Sequence, residues 1–398
     1  MQLQGNANLA RTRVLLTSMI PPRNDGGCRI LMHRHMVERT PFELHVACSA
    51  DFADDLLIHT QLRLSYPVNR LRKSRFGPRM APWIRDYGNF VWPNLKNHEL
   101  EEAIQKFQPD VLLTLAETGV SHLALKAATR HKIPLVGLFW DWFPIMKGHY
   151  GHKWTRHALS RRYRELYEAC DLAFCISDGM KQELGPHPNS HVVYPIAGRY
   201  DVSELPAPRK NSKFRLVYVG SVQSFYGRML SGLLECMENE PGLEVIVVGG
   251  DADWPAHIVE KAREKGVYLG YLPPEKSAQV LAEADALLVV MSFEKEHELF
   301  MRTSFTTKFV DYTTFNKPII LWAPEYCAPM QLVRREGGAF PVNDPSTEAV
   351  LEAARRVARD AGLRANLARE AQMLSTATFH PDRLQETFVN KIESLKHG

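Results

Sequence analysis

Short apolar runs of strand length alternate with amphipathic helical stretches along most of this chain, and they do so in two successive series. That rhythm constrains the fold more than any other feature, because strands alternating with helices assemble into parallel sheets covered on both faces. In the first series the expected strands are 13–19, 43–49, 62–68, 110–115, 134–140, 172–177 and 191–195. Helical periodicity fills 28–39, 98–107, 121–131 and 154–170 between them. A Pro- and charge-rich stretch, 197–213, reads as a linker. The second series has strands at 214–220, 243–249, 267–270, 286–291, 318–322 and 338–342, and helices at 228–238, 256–265, 275–284, 305–315 and 328–336. From Thr347 onward the pattern is helical. The expected organisation is an N-terminal Rossmann-like domain, 1–200, and a C-terminal one, 201–379, with a last helix, 380–398, returning to the first. Two such domains facing each other would place a ligand in the cleft between them, beyond the C-terminal strand ends.

The composition agrees with two globular cores and excludes several classes. The 398 residues are 45% hydrophobic and 24% charged, with a net charge of only +4. So mild a balance does not argue for nucleic acid as the partner, and none is expected; it would suit a polyanionic ligand or a loose membrane-surface association. The six cysteines (Cys28, Cys48, Cys170, Cys175, Cys236, Cys327) form no CxxC pair and sit in apolar surroundings, which reads as reduced core thiols and a cytoplasmic setting. The longest apolar runs are far shorter than the roughly 18 residues of a spanning helix. The N-terminal apolar stretch reads as a first strand rather than a signal peptide.

Three loops carry candidate chemistry. Gly26 and Gly27 follow the first strand and open a helix, where a bare backbone lets N–H groups approach an anion; a lone GG before a helix is more often a plain turn. Gly220 ends a strand, Ser221 follows, and Arg228 lies near the start of the next helix, within reach of a diphosphate or simply in solvent. In the third, Thr303 or Ser304 is the expected N-cap of the helix 305–315. Thr306 and Thr307 then offer first-turn amides, Lys308 a point charge, and Asp311 a carboxylate three residues on, a pattern suited to phosphates and ribose. Taken alone, that helix reads as amphipathic with a Lys/Asp pair.

The order of motifs goes further. VYVGSVQSFYGRML, LEVIVVGGDAD, VYLGYLPPEKSAQVLAEADALLVVM and FTTKFVDYTTFNKPIILW resemble successive segments of the C-terminal domain of glycosyltransferase family 4. FWDWFP and YRELYEACDLAFCISDGMKQEL resemble segments of the N-terminal domain, in a branch that includes bacterial amino-sugar transferases of surface-polysaccharide synthesis. The resemblance implies a GT-B fold and a retaining transferase that takes a sugar from a nucleotide diphosphate donor. It implies that Gly220, Ser221, Arg228 and Lys308 hold the diphosphate, Asp311 the ribose and Tyr271 the nucleobase. Asp141 of FWDWFP would lie near the reacting sugar, and Gly26 and Gly27 would complete the phosphate cradle. Thr303 stands where much of the family has a first glutamate, and Asp311 is shorter than the second.

Asp251-Ala252-Asp253 looks like a metal-binding DxD, but its place before Trp254-Pro255 reads as a turn and helix cap; no metal and no cofactor beyond the donor is expected. His33, His35 and His157 read as surface residues, with His149 and His152 as acceptor-side candidates. Phe139, Trp140, Trp142 and Phe143 read as core. The run from Arg63 to Arg85 is dense in Arg and Lys with aromatics and no acid, which suggests contact with a lipid-linked or phosphorylated acceptor at an anionic membrane face, against a solvated loop. A sugar-nucleotide epimerase and an inactive scaffold are the rival readings.

Overall fold

The computed structural model describes residues 11–50, 57–200, 213–237 and 240–397. The first ten residues and most of the expected linker lie outside them. The chain divides into two compact units, Met1–Tyr194 with Leu384–Gly398, and Pro195–Arg383.

Unit 1 is built on a seven-stranded parallel sheet in the order β3-β2-β1-β4-β5-β6-β7. Its strands are β1 (Arg13–Ser18), β2 (Glu43–Cys48), β3 (Ile58–Gln61), β4 (Val111–Leu115), β5 (Leu135–Phe139), β6 (Leu172–Cys175) and β7 (Ser190–Val192). Every residue of β4 and β5 is buried. Helices cover both faces of the sheet, so its central strands read as unbroken apolar runs rather than alternating ones. Unit 2 has a five-stranded sheet in the order β12-β11-β10-β8-β9. Its strands are β8 (Phe214–Val219), β9 (Leu243–Val248), β10 (Ala286–Val290), β11 (Ile319–Trp322) and β12 (Phe340–Val342), all paired in parallel.

Two expected strands are corrected. Residues 62–68 do not form one; β3 ends at Gln61, and a helix, Tyr66–Arg72, starts with Pro67 in its first turn. Proline suits that position because its missing N–H would have no helical partner there. Residues 267–270 make only an isolated bridge between Val247 and Tyr268. Gly266 and Gly270, both at positive φ (68° and 67°), turn the chain away on either side.

The expected helix 28–39 changes character midway. Gly27–His33 is α-helical and Arg34–Glu38 is a wider π turn. The last helix, Pro381–Ser394, packs there: Gln385 Nε2 donates to the carbonyls of His35 (2.9 Å) and Arg39 (3.2 Å), and Gln385 Oε1 bonds the His35 ring (2.9 Å). The His35 ring also lies against Phe388, with centroids 4.7 Å apart. His35 is therefore a core residue, not a surface one, and burial lowers its pKa to about 4. Phe139, Trp140, Trp142 and Phe143 are all buried. Five of the six free cysteines are buried, whereas Cys236 is exposed, unlike its expected core placement.

Candidate functional site

In unit 2 the site residues gather at the C-terminal end of β8. Pairing between β8 and β10 covers only Leu216 and Val217, so the end of β8 needs another partner. Tyr312 supplies it: its hydroxyl accepts the N–H of Val219 (2.8 Å) and lies 3.2 Å from the Val219 carbonyl, to which it can donate. This bolts the helix Thr307–Thr313 to the strand end and sets Lys308, one turn earlier, against Gly220. A Cβ on Gly220 would stand 1.8 Å from Lys308 Cε, and Gly220 has φ +148°. The backbone angle favours glycine, and a methyl there would displace the end of the Lys308 side chain. The Lys308 ammonium lies 4.5 Å from the Tyr226 ring centroid and 5.4 Å from that of Tyr218, a cation–π cage. Burial lowers its pKa to about 8, against the opposing charge of Asp311.

The helix starts differently from the expectation. Thr303 and Ser304 do not cap it; Thr303 ends the preceding helix, Glu298–Thr303, and its hydroxyl bonds back to the Leu299 carbonyl (2.8 Å). Thr306 occupies the cap position without a side-chain hydrogen bond, and Thr307 is the first helical residue. Asp311 accepts the backbone N–H of Gly198 (2.9 Å). Ser221 is exposed, and its carbonyl accepts the Tyr218 hydroxyl (2.5 Å). Tyr271 is 74% exposed and lies beside Gly250, past the end of β9, rather than at the end of a strand of its own.

Arg228 is exposed on the helix Ser224–Cys236, and its Nε and Nη2 fork onto Glu294 Oε1 at 3.0 and 2.5 Å. Glu294, with Glu296 and His297, forms a group whose ligand atoms lie within 4.8 Å of one another. That group is already engaged: Arg228 holds Glu294, and the His297 ring bonds Ser292 (2.9 Å). The Asp251–Asp253 turn does cap a helix, but the preceding one. Asp253 Oδ2 accepts the N–H of Ser224 (2.7 Å), a residue at φ 58°, and so fixes the start of the helix that carries Arg228.

In unit 1 a second group forms where β1, β4 and β5 end. Gly26 (φ 118°) and Gly27 (φ 56°) take backbone conformations that side chains avoid, and the space around both is open. The next residue, Cys28, donates its thiol to Asp141 Oδ2 (3.2 Å), which joins the glycine turn to the FWDWFP loop. Burial, then the Asp141 charge, raise the Cys28 pKa. The Tyr163 hydroxyl donates to the Asp141 carbonyl (2.9 Å) and holds the loop on the helix Arg156–Ala169.

Sequence reasoning missed Glu117, two residues past β4. It is 3% exposed, and its Oε2 accepts the N–H of Met19 just past β1 (2.6 Å). Burial raises its pKa to about 8, with the Met19 bond opposing. An acid directly after an apolar strand run and before a helix glycine (LLTLAETG) was the available signal, since such positions lie on the binding edge of a parallel sheet. The raised pKa has a consequence with a definite sign. The folded state keeps the Glu117 proton from about pH 4.5 to about pH 8, where an unfolded chain releases it, so stability falls as pH rises through that window. Urea unfolding at pH 5 and pH 8.5 is expected to show the loss in the wild type and a flatter profile in Glu117→Gln. An unchanged profile in the variant would remove Glu117 as its source.

The acceptor-side histidines divide. His152 Nδ1 bonds Asp86 (2.6 Å). His149 packs on Phe143 with centroids 4.9 Å apart, and burial lowers its pKa to about 4. His33 pairs with Glu38 (3.3 Å), and His157 is exposed.

Two parallel-sheet α/β units of seven and five strands match the GT-B architecture of known structures. HepE from Anabaena, solved in complex with UDP, is 14% identical, with a TM-score of 0.65 over 96% of this chain and 100% of its own. Sucrose-phosphate synthase from Thermosynechococcus elongatus is 12% identical, with a TM-score of 0.66 over 97% of this chain and 99% of that one. A UDP-GlcNAc 2-epimerase from Neisseria meningitidis, bound to UDP-GlcNAc, matches at 13% identity with a TM-score of 0.56, over 96% of this chain and 100% of its own. Residues 34–195 match the family model described as Glycosyltransferase Family 4. No curated protein sequence matches the chain. The chain thus has the GT-B fold, with residues 34–195 matching the glycosyltransferase family 4 model.

Proposed function

We propose that this protein moves a sugar from a nucleotide diphosphate donor to a hydroxyl of a glycan or lipid-linked acceptor, with retention, in the cytoplasm and in the synthesis of a glycan or surface polysaccharide. The observation that carries the reading is the Lys308 ammonium, caged by two tyrosine rings against Gly220 at the end of β8. A cation so placed meets the charge that develops on a departing diphosphate. Ser221, Thr306, Thr307 and Arg228 extend the same anionic subsite, Arg228 exchanging Glu294 for phosphate. Asp311 takes ribose hydroxyls, and Tyr271 lies under the base. Asp141 acts on the transferring sugar, and Gly26 and Gly27 keep an open backbone for an anionic group. In the step, the bond from the anomeric carbon to the phosphate oxygen breaks and one to the acceptor oxygen forms, while the acceptor proton passes to the leaving phosphate. Lys308 and Arg228 take the charge-neutralising part, without a metal ion or further cofactor. The likeness to HepE, solved with UDP-glucose, supports a nucleotide-sugar donor.

The likeness to an epimerase gives the second reading. Incubation with a panel of nucleotide sugars and a mixed glycan acceptor separates them. Release of nucleoside diphosphate that depends on Lys308 is expected. Interconversion of the sugar without release would establish the epimerase, and binding with neither would establish a scaffold. Activity that persists in excess EDTA is expected; its loss would overturn the metal-free part.

A further inference from the structure

No helix among the described residues is long and apolar enough to cross a membrane, yet unit 1 presents an unusual surface. Four rings stand exposed on it: Tyr66 (78%), Phe76 (47%), Trp83 (57%) and Trp154 (70%). Three of them belong to a helical hairpin, Tyr66–Arg72 and Gly77–Phe90, with Phe76 directly before the second helix. The fourth is brought alongside by Asp86. Its Oδ1 accepts from Gly151 N–H (2.9 Å) and Thr155 Oγ1 (2.9 Å), and its Oδ2 bonds His152 Nδ1 (2.6 Å). The staple lays the His152 ring between the two tryptophans, 4.5 Å from Trp83 and 5.5 Å from Trp154 between centroids. Gly151 permits the approach, since a Cβ there would stand 2.0 Å from the Pro82 carbonyl oxygen. Two exposed tryptophans held against one histidine make an apolar patch of the kind that marks an interaction site.

The charge on the same hairpin names the partner. All seven Arg and Lys side chains from Arg63 to Arg85 are exposed, and none of them pairs with a carboxylate among the described residues. The nearest acid in sequence, Asp86, is occupied by the staple. Surface cations elsewhere in the protein are commonly paired, as Lys106 with Glu102 and Arg161 with Glu165 are. Uncompensated cations beside exposed Trp and Tyr match an anionic bilayer surface, whose headgroups attract the cations and whose interfacial layer favours amphipathic rings. A saccharide would use the ring ladder but leave the cations without a role, and a net charge of only +4 argues against nucleic acid.

We propose that this hairpin and the Trp154 loop form a membrane-docking face that binds anionic lipid headgroups through the arginines and inserts the Trp83 and Trp154 rings into the interface. The proposal rests on the reading that a lipid-linked acceptor is served. Its test is independent of donor chemistry: flotation of the full chain with vesicles of phosphatidylcholine alone or with added phosphatidylglycerol. Binding at 50 mM salt to the anionic vesicles only is expected, weakening as salt rises. Trp83→Ala with Trp154→Ala is expected to lower the partition about tenfold, with donor turnover on a soluble acceptor unchanged. Arg70→Ala with Arg72→Ala and Lys73→Ala gives a second variant that spares the rings, expected to weaken binding and flatten its salt dependence. Brominated lipid is expected to quench the wild type more than the double tryptophan variant. Absence of anionic-vesicle binding, equal binding to neutral vesicles, or indifference to both sets of substitutions would overturn the docking face while leaving nucleoside diphosphate release untouched.

Discussion

Lys308→Ala is expected to lower donor turnover at least about a hundredfold while leaving the folded state intact. A fixed cation facing the charge that develops on a leaving group typically contributes two to three orders of magnitude in rate, or about 3–4 kcal/mol. The fold makes little use of the charge, because burial already disfavours it: the pKa is lowered to about 8. Thermal unfolding of the variant should therefore shift by a few degrees at most. The same shift sets a pH signature. A diphosphate needs the protonated amine, so donor binding takes up a proton as pH approaches and passes about 8, and donor KM is expected to rise there. In Lys308→Ala that rise should vanish. Gly220→Ala offers a check from the other side of the contact, since the new methyl would occupy the position of Lys308 Cε. It is expected to reproduce most of the loss without removing the charge. Wild-type turnover in Lys308→Ala would sink the phosphate assignment.

Why Lys308 was legible in the sequence, and its support was not, follows from the range of the contacts involved. Lys308 and Asp311 share one helical segment, so spacing alone pairs them. What aims the lysine is Tyr312 reaching Val219, a contact across 93 positions that no local pattern encodes. Glu117 is similar: its bond to Met19 spans 98 positions. The central strands were readable because both faces of a parallel sheet are buried and the runs are unbroken. The two misread strands failed for local reasons. Pro67 starts a helix, and Gly266 and Gly270 bend the chain on either side of Tyr268. His35 misled because its neighbours Arg34 and Arg39 suggested a surface, whereas the last helix covers it from 350 positions away. The cap at Thr303 failed because an apolar-periodic segment does not show where one helix stops and the next begins. Thr303 closes the first, and Phe305 is buried against Phe379 in the gap between them.

Asp141→Asn separates a chemical role of that carboxylate from a structural one. Asparagine has nearly the same size, and its side-chain oxygen can still accept the Cys28 thiol, so the join between the glycine turn and the FWDWFP loop should survive. The Tyr163 hydroxyl bonds the backbone carbonyl of Asp141 and is unaffected. What disappears is the negative charge. If that charge acts on the positive character of the transferring sugar, turnover is expected to fall about a hundredfold, or about 2.7 kcal/mol of barrier, with donor KM within about threefold of wild type. Cys28→Ala is the companion variant, because it deletes the link and keeps the carboxylate. It is expected to retain turnover within a few-fold and to lose some stability from the small cavity left at a buried position. Equal losses of turnover in both variants, or a fall in unfolding temperature that tracks the loss in Asp141→Asn, would assign Asp141 to holding the Gly26–Gly27 turn rather than to the transfer step.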